Sequence, residues 1–458
     1  MTNLTKAEAE AVIKKTLSYA KADETQVTLS GRREGNLRFA RNAVSTSGGT
    51  EALTLVVQSS FGQKTGTATI NEFDDASIEK VVRRAEDLAK LAPENPEYVE
   101  FLGPQQFLAP KSHFDSTAGL NADFRAKAMA DCINPCKAKN LVAAGFLEHN
   151  AGFSSLGNSH GLNGFHRAST VNYSVTVRTA DGLGSGYGVC DFNDSSKLDA
   201  KLVSELAMQK AMRSAETKSL EPGKYTVILE PSASVDLLSH MITSMDARQA
   251  DEGRSFLSKP GGATRLGEKL VDERIHLHSD PMNAEVPGSP WAPDGRPRRK
   301  VDWFKDGVVT NVGYSRFWAK KKGLSDDKAM PNFGNGFGGG NRAVGAFEGS
   351  PGFIMDGGNA SLEDLVKSVK RGILVTRMWY IRPVDPQTLL YTGLTRDGTF
   401  YVENGEIKYA IKNFRFNESP VIMLNNVEAL GKPVRANGSL VPPMVIRDFT
   451  FSSLSDAV

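Results

Sequence analysis

The chain has 458 residues, 40% hydrophobic and 24% charged, with 55 basic against 53 acidic side chains for a formal net charge of +2. That length exceeds one ordinary core and predicts two or three domains. The balanced charge gives no electrostatic reason for nucleic acid or an anionic membrane as a partner. Three cysteines, Cys132, Cys136 and Cys190, are an odd number in a long chain and argue for a reducing compartment rather than a disulfide framework. MTNLTKAEAEAVIKK has no positive segment followed by an apolar run, and no stretch of about 18 apolar residues occurs anywhere. A cytoplasmic protein without a membrane span is therefore expected.

In chain order, Thr5 and Glu8 have the spacing of a capping box, and Ala9, Val12, Ile13, Leu17 and Ala20 continue it at helical period. Gln26 to Leu29 and Asn36 to Ala40 read as two short strands. Glu51 to Ser59 reads as a longer one, paired with Lys64 to Ile70 across the turn SFGQ. Asp74 caps a second helix carrying Ile78, Val81, Val82, Ala85 and Leu88, which Pro93 and Pro96 end. A third helix is expected from about Ala122 to Cys132, stopping near Pro135. Asn172 to Arg178 alternates as a strand, and Leu198, Leu202 and Leu206 mark a fourth helix.

Pro222–Gly223 signals a boundary, so the predicted domains are 1–220 and 221–458. Tyr225 to Leu229 is a strand, and LLSHMITSMDA (237–247) reads as the first turns of the helix it feeds. Asp306–Gly307, Asp397–Gly398 and Asn404–Gly405 are hairpin-type dipeptides, and Leu362 to Lys370 is a further helix. The fold class expected is α+β: an N-terminal sheet-and-helix domain and a C-terminal, mostly β, barrel-like domain. NFGNGFGGGN (332–341) has no lysine and hydroxyl after its glycines, so it reads as a loop or lid rather than a phosphate cradle.

Several groups are candidates for chemistry. CINPC places Cys132 and Cys136 one helical turn apart, and the bland reading, two buried small side chains, is preferred. His276 and His278 in IHLHSD alternate on a strand and face one way, with Asp280 as a further oxygen; a metal there needs ligands from elsewhere in the chain. His160 and His166 read as non-catalytic, and RPRRK (296–300) as a solvated loop. In the 237–247 helix, at about 100° per residue, Leu237, Leu238, Met241, Ile242 and Met245 form an apolar stripe. Asp236, Ser239, His240, Thr243 and Ser244 lie opposite. Asp236, His240 and Ser244 stand four apart, which suggests an acid–imidazole–hydroxyl array. A helical serine, however, bonds the carbonyl one turn back, and no strained-turn nucleophile is present.

Four segments resemble the TldD/PmbA family, members of which have also been linked to modulation of DNA gyrase. NLRFARNAVSTSGGTEALTLVVQSSFGQKTGTATINEFDDASIEKVVRRA is similar to its N-terminal signature, and NSHGLNGFHRASTVNYSVTV to a middle segment. LEPGKYTVILEPSASVDLL resembles the entry to its C-terminal domain, and GILVTRMWYIRPVDPQTLLYTGLTRDGTFYVENGEIKYAIKNFRFNES its closing block. TldD-like members resemble zinc metallopeptidases with HExxxH on the first helix of the C-terminal domain and a later cysteine ligand. The TldE/PmbA-like branch lacks that motif and pairs with the TldD-like subunit.

Aligned with HExxxH, this chain has Ser239, His240 and Ser244 in place of the first histidine, the glutamate and the second histidine, and no cysteine follows Cys190. The resemblance therefore implies a TldE/PmbA-like subunit without its own metal or other cofactor, zinc being expected only in a TldD-like partner. Its implied work is proteolysis of peptides or unfolded segments, as a heterodimer or homodimer, with Ser239, His240, Thr243 and Ser244 lining a substrate cavity. Nucleic acid and membrane are not expected partners. Two alternatives remain: a self-sufficient hydrolase using His240 or a metal at His276 and His278, and a peptide-binding protein without catalysis.

Overall fold

Residues 24–192 supply a six-stranded, wholly antiparallel sheet in a computed structural model that describes residues 3–332 and 352–455. Its strands are β1 (Glu24–Ala40), β2 (Ala43–Phe61), β3 (Lys64–Ile70), β4 (Leu141–Asn158), β5 (Asn163–Thr179) and β6 (Ser185–Phe192), in the spatial order β3-β2-β1-β4-β5-β6. The two short strands expected before residue 40 are one. β1 lies between β2 and β4, and ladder bonds on both edges carry it through Gly31–Arg33, where hydrophobic alternation lapses.

Odd-numbered residues of β1 and β4 face four helices. Val27, Leu29 and Phe153 pack with α1 (Lys6–Ser18) and α2 (Asp75–Leu91), while Leu37, Phe39, Leu141 and Leu147 pack with α3 (Ala122–Ala138) and α4 (Ala200–Arg213). Between the two cores lies a polar band. There Arg125 meets His149 across 2.8 Å, over Gly35, where a Cβ would come within 2.3 Å of both side chains. Burial, then the charges of Arg125 and Arg33, pull His149 down to about 4.

The expected caps form. Thr5 and Glu8 make a reciprocal capping box on α1, and the Asp74 carboxylate accepts the Ser77 N–H on α2. Two helix expectations need correction. α3 continues through Pro135 to Ala138; only the Asp131 carbonyl loses its partner there, and the helix ends one turn later. Cys132 and Cys136 are fully buried in its core face, as read. In α4, Leu198 precedes the helix, and Leu202 and Leu206 point to solvent. The buried face is Ala200, Val203, Ser204, Ala207, Met208 and Ala211, because Gly184, just before β6, and Gly186 and Gly188 within it face the helix. A Cβ at Gly186 would come within 2.1 Å of the Ala207 carbonyl oxygen. Close helix–sheet approach selects the small side chains and turns the leucines outward.

The C-terminal half is built on a closed five-stranded barrel. Strands β7 (Gly223–Leu229), β8 (Arg371–Asp385), β9 (Leu390–Glu403), β10 (Asn413–Glu418) and β11 (Met444–Ser455) pair in the cycle β8-β7-β11-β10-β9-β8. Alternate residues serve two cores. Val227 and Leu229 pack with the helix α5 (Pro231–Thr243), and Ile228 packs with the short helix Leu362–Ser368. A second sheet carries Val301–Lys305, Leu277–Ser279 and Ile354–Met355 side by side. Together the two halves form the α+β, two-domain fold expected.

Asp306–Gly307 and Asn404–Gly405 turn hairpins with both residues at positive φ, as expected. Asp397–Gly398 does not. It lies inside β9, where the pairing with β8 skips between Val375 and Arg377, and φ values of 56° and 120° mark a left-handed irregularity. RPRRK keeps Arg299 and Lys300 exposed, but its first residue is corrected. Arg296 is 2% exposed, its guanidinium held by the Asp294 carboxylate and the carbonyls of Ala329 and Tyr314, so its charge is buried with partners rather than solvated. Residues 333–341 of the glycine-rich loop lie outside the described residues. Among the described residues no helix is long and apolar enough to cross a membrane.

Candidate functional site

α5 begins earlier than its sequence suggests. Pro231 occupies the first turn, where its missing N–H costs nothing, and Leu237–Thr243 of LLSHMITSMDA form the last turns rather than the first, the rest of that stretch lying past the helix end. Glu230 precedes it but does not cap it, because its carboxylate pairs with Lys210 at 2.7 Å and accepts the Thr376 hydroxyl. Leu237, Leu238, Met241, Ile242 and Met245 are all buried, so the apolar stripe seats the helix as read.

The opposite side is engaged by the barrel. Asp236 accepts the Met378 N–H at 3.1 Å, and burial pushes its carboxyl up to about 7 against the pull of that bond and of Arg377. Arg377 pairs with the fully buried Asp397 at 2.6 Å and lies over the Tyr187 ring at 3.9 Å. The Ser185 hydroxyl donates to Asp397 at 2.5 Å, so the irregularity in β9 ties β6 to the barrel beneath α5. Burial also raises the Tyr187 hydroxyl, against the charge of Arg377.

His240 stacks on Tyr391 with ring centroids 4.7 Å apart, and burial, then the charge of Arg382, lowers its pKa. Ser244 stands just past the helix end. Its hydroxyl donates to the His240 carbonyl at 2.7 Å. The Thr243 hydroxyl donates to the Ser239 carbonyl at 2.8 Å. Among the described residues no hydrogen bond joins the His240 ring to Asp236 or Ser244, so the acid–imidazole–hydroxyl array is not assembled. Sequence reasoning did not find Tyr391, Arg377 or Asp397; the only local signal was the Asp-Gly dipeptide, which read as a turn.

The strand histidines are brought together as expected, with a different carboxylate. His276 and His278 have ring centroids 4.8 Å apart. Asp280 instead accepts the Met282 N–H and closes a turn. The carboxylates beside the histidines are Asp356, 2.7 Å from His276 Nδ1, and Asp302, 3.0 Å from His276 Nε2. Burial, with the charges of His276 and Lys300 and against those of Asp356 and Asp302, lowers His278. Burial raises the Asp302 carboxyl, but the hydrogen bond and charge of His276 outweigh it and the net shift is downward. Elsewhere, His160 pairs with Glu24 at 2.8 Å. His166 lines a cavity of about 480 Å³ with His113, Arg167 and Lys111, and burial holds it down to about 4. No residue of α5 lines that cavity.

A family model for the PmbA/TldA metallopeptidase C-terminal domain matches residues 222–453, just over half of the chain, and one for domain 1 matches residues 26–89. The metalloprotease PmbA of Escherichia coli O157:H7 is 20% identical over 388 residues, covering 82% of this chain and 80% of its own. The PmbA homologue of Haemophilus influenzae is 21% identical over 400 residues, covering 85% and 83%. The crystal structure of TldE from Thermococcus kodakarensis superposes with a TM-score of 0.84 at 18% identity, over 97% of this chain and 99% of that one. The chain belongs to the metallopeptidase-related PmbA/TldD family.

Proposed function

We propose that this chain is the TldE/PmbA-type subunit of a two-subunit peptidase, holding no zinc on α5 and working with a TldD-like partner that carries HExxxH. The observation that carries the reading is the state of the three positions aligned with that motif. Ser239 offers a neutral hydroxyl. His240 is stacked on Tyr391. The Ser244 hydroxyl donates a hydrogen bond to the His240 carbonyl. A catalytic zinc takes three protein ligands, normally imidazole, carboxylate or thiolate, and leaves one position open for water. The donors on α5 do not fit that requirement, so no chemical step is assigned to zinc on this helix. The relatives named metalloprotease PmbA support a role in peptide hydrolysis for the assembly.

In this reading Ser239, His240, Thr243 and Ser244 face a chamber shared with the partner, and the substrates are peptides or unfolded segments. The test is peptide cleavage by the pure chain and by the chain mixed with an HExxxH-bearing TldD-like subunit. Chelator-sensitive cleavage is expected only in the mixture. Chelator-sensitive cleavage by this chain alone, abolished by His240→Ala, would overturn the reading.

A further inference from the structure

We propose that His276, His278 and Asp356 form a binding site for a divalent transition-metal ion, with Asp302 orienting His276 from behind. The site goes beyond the subunit role above and does not rest on it.

The pleat of the second sheet assembles it. Leu277–Ser279 runs between Val301–Lys305 and Ile354–Met355, antiparallel to both. Leu277 points into the core and is fully buried, which sends His276 and His278 to the other face. His276 lies across from Asp356, whose N–H donates to the His276 carbonyl at 3.0 Å. His278 lies across from Asp302, because the register slips between Leu277 and His278. Two imidazoles and two carboxylates from three strands thus share one face.

The donor set suits a borderline divalent ion. Two imidazoles and one carboxylate are a recurrent ligand set for zinc and for ferrous iron. One nitrogen from each ring and one Asp356 oxygen lie within 4.8 Å of one another. Ligands about 2.1 Å from a tetrahedral ion stand about 3.4 Å apart, so the group must contract by about 1.4 Å. Asp356 and His276, with side chains 53% and 26% exposed, can share that movement around His278, which is only 10% exposed.

A second observation points to a ligand. His278 Nδ1 is buried with no hydrogen-bond partner, and it faces Asp356 Oδ1 at 3.9 Å, too far for a bond. A buried ring nitrogen without a partner costs free energy that a metal bond would recover. Meanwhile His276 Nε2 keeps its contact with Asp302, the carboxylate–histidine–metal arrangement that holds a ligating ring in place. The exposed side of Asp356 leaves room for water or a substrate group on the ion.

The test uses the full chain stripped with chelator and titrated with Zn²⁺ by calorimetry, and with Co²⁺ by visible absorption. One equivalent is expected to bind and to raise the melting temperature. Asp302→Asn lowers affinity about 10- to 100-fold, and Asp356→Asn and His278→Ala lower it at least as far. Asp356→Asn is the decisive variant, because its exposed side chain permits folding even if His278→Ala does not. His240→Ala leaves binding unchanged. Absence of saturable binding at one equivalent, or binding that survives Asp356→Asn intact, overturns the proposal. Zinc lost through His240→Ala instead would overturn it and the zinc-free reading of α5 together.

Discussion

α5 and the His276 cluster both gather imidazole, carboxylate and hydroxyl groups in the C-terminal half, yet they use them differently. On α5 the carboxylate and the terminal hydroxyl are engaged within the fold, Asp236 on the Met378 N–H and Ser244 on the His240 carbonyl, and the His240 ring is stacked on Tyr391. In the second sheet His278 Nδ1 has no partner and Asp356 is half exposed. The family's position for a metal and the place where ligand chemistry converges are therefore different parts of this chain. Position on a helix is inherited with the backbone, but ligand capacity depends on whether each polar group has a protein partner already.

The sharpest way to break the comparison is Asp397→Ala. It leaves Arg377 buried without its counter-charge behind α5, and a loss of about 3–5 kcal/mol is expected in denaturant unfolding. A negligible loss would mean that the polar side of α5 does not depend on that pair. Leu238→Ala, on the stripe, is expected to cost about 2–5 kcal/mol, which the same unfolding experiment reads.

Asp236 gives a pH signature. Its folded carboxyl ionises at about 7 and an unfolded aspartate at about 4, so the folded chain holds the extra proton between those values. The contribution of Asp236 is full below about pH 4 and is lost as pH rises through 7. Wild type should therefore lose stability relative to Asp236→Asn across that window, and a constant difference would refute the burial argument. His149 acts in the opposite sense: held down to about 4, its contribution is present above about pH 6.5 and fades on acidification. For that reason the Asp236 effect is read as a difference between variants.

Ser244→Ala removes one local hydrogen bond, an expected loss of about 1 kcal/mol in thermal unfolding. Smallest is Asp356→Asn without metal, within about 0.5 kcal/mol of wild type because the side chain is half exposed. If it costs as much as Asp397→Ala, the His276 cluster is a structural network like the one behind α5.

Much of the scaffold was legible one segment at a time. The capping box at Thr5 and Glu8, the Asp74 cap, the left-handed Asp306–Gly307 and Asn404–Gly405 turns and the stripe of α5 all rest on residues within about two turns of one another. The errors share one cause. α4 read as a leucine-faced helix until the glycines of β6 admitted small side chains in their place. Asp397–Gly398 read as a turn until Arg377 and Ser185 gathered around Asp397. Arg296 read as solvated until carbonyls more than a dozen residues away closed on it.

By itself the sequence determined the α+β character, the family resemblance and the substitution of Ser239, His240 and Ser244 at the HExxxH positions. It also determined that His276 and His278 share a face, since strand alternation is a property of the backbone. Only the tertiary structure decided which carboxylates join them. Asp356 stands 80 residues from His276 in the chain, and Asp302 stands 26. Neither separation carries a local signal, because what brings those side chains together is strand pairing, and register is set by the packing of the whole domain.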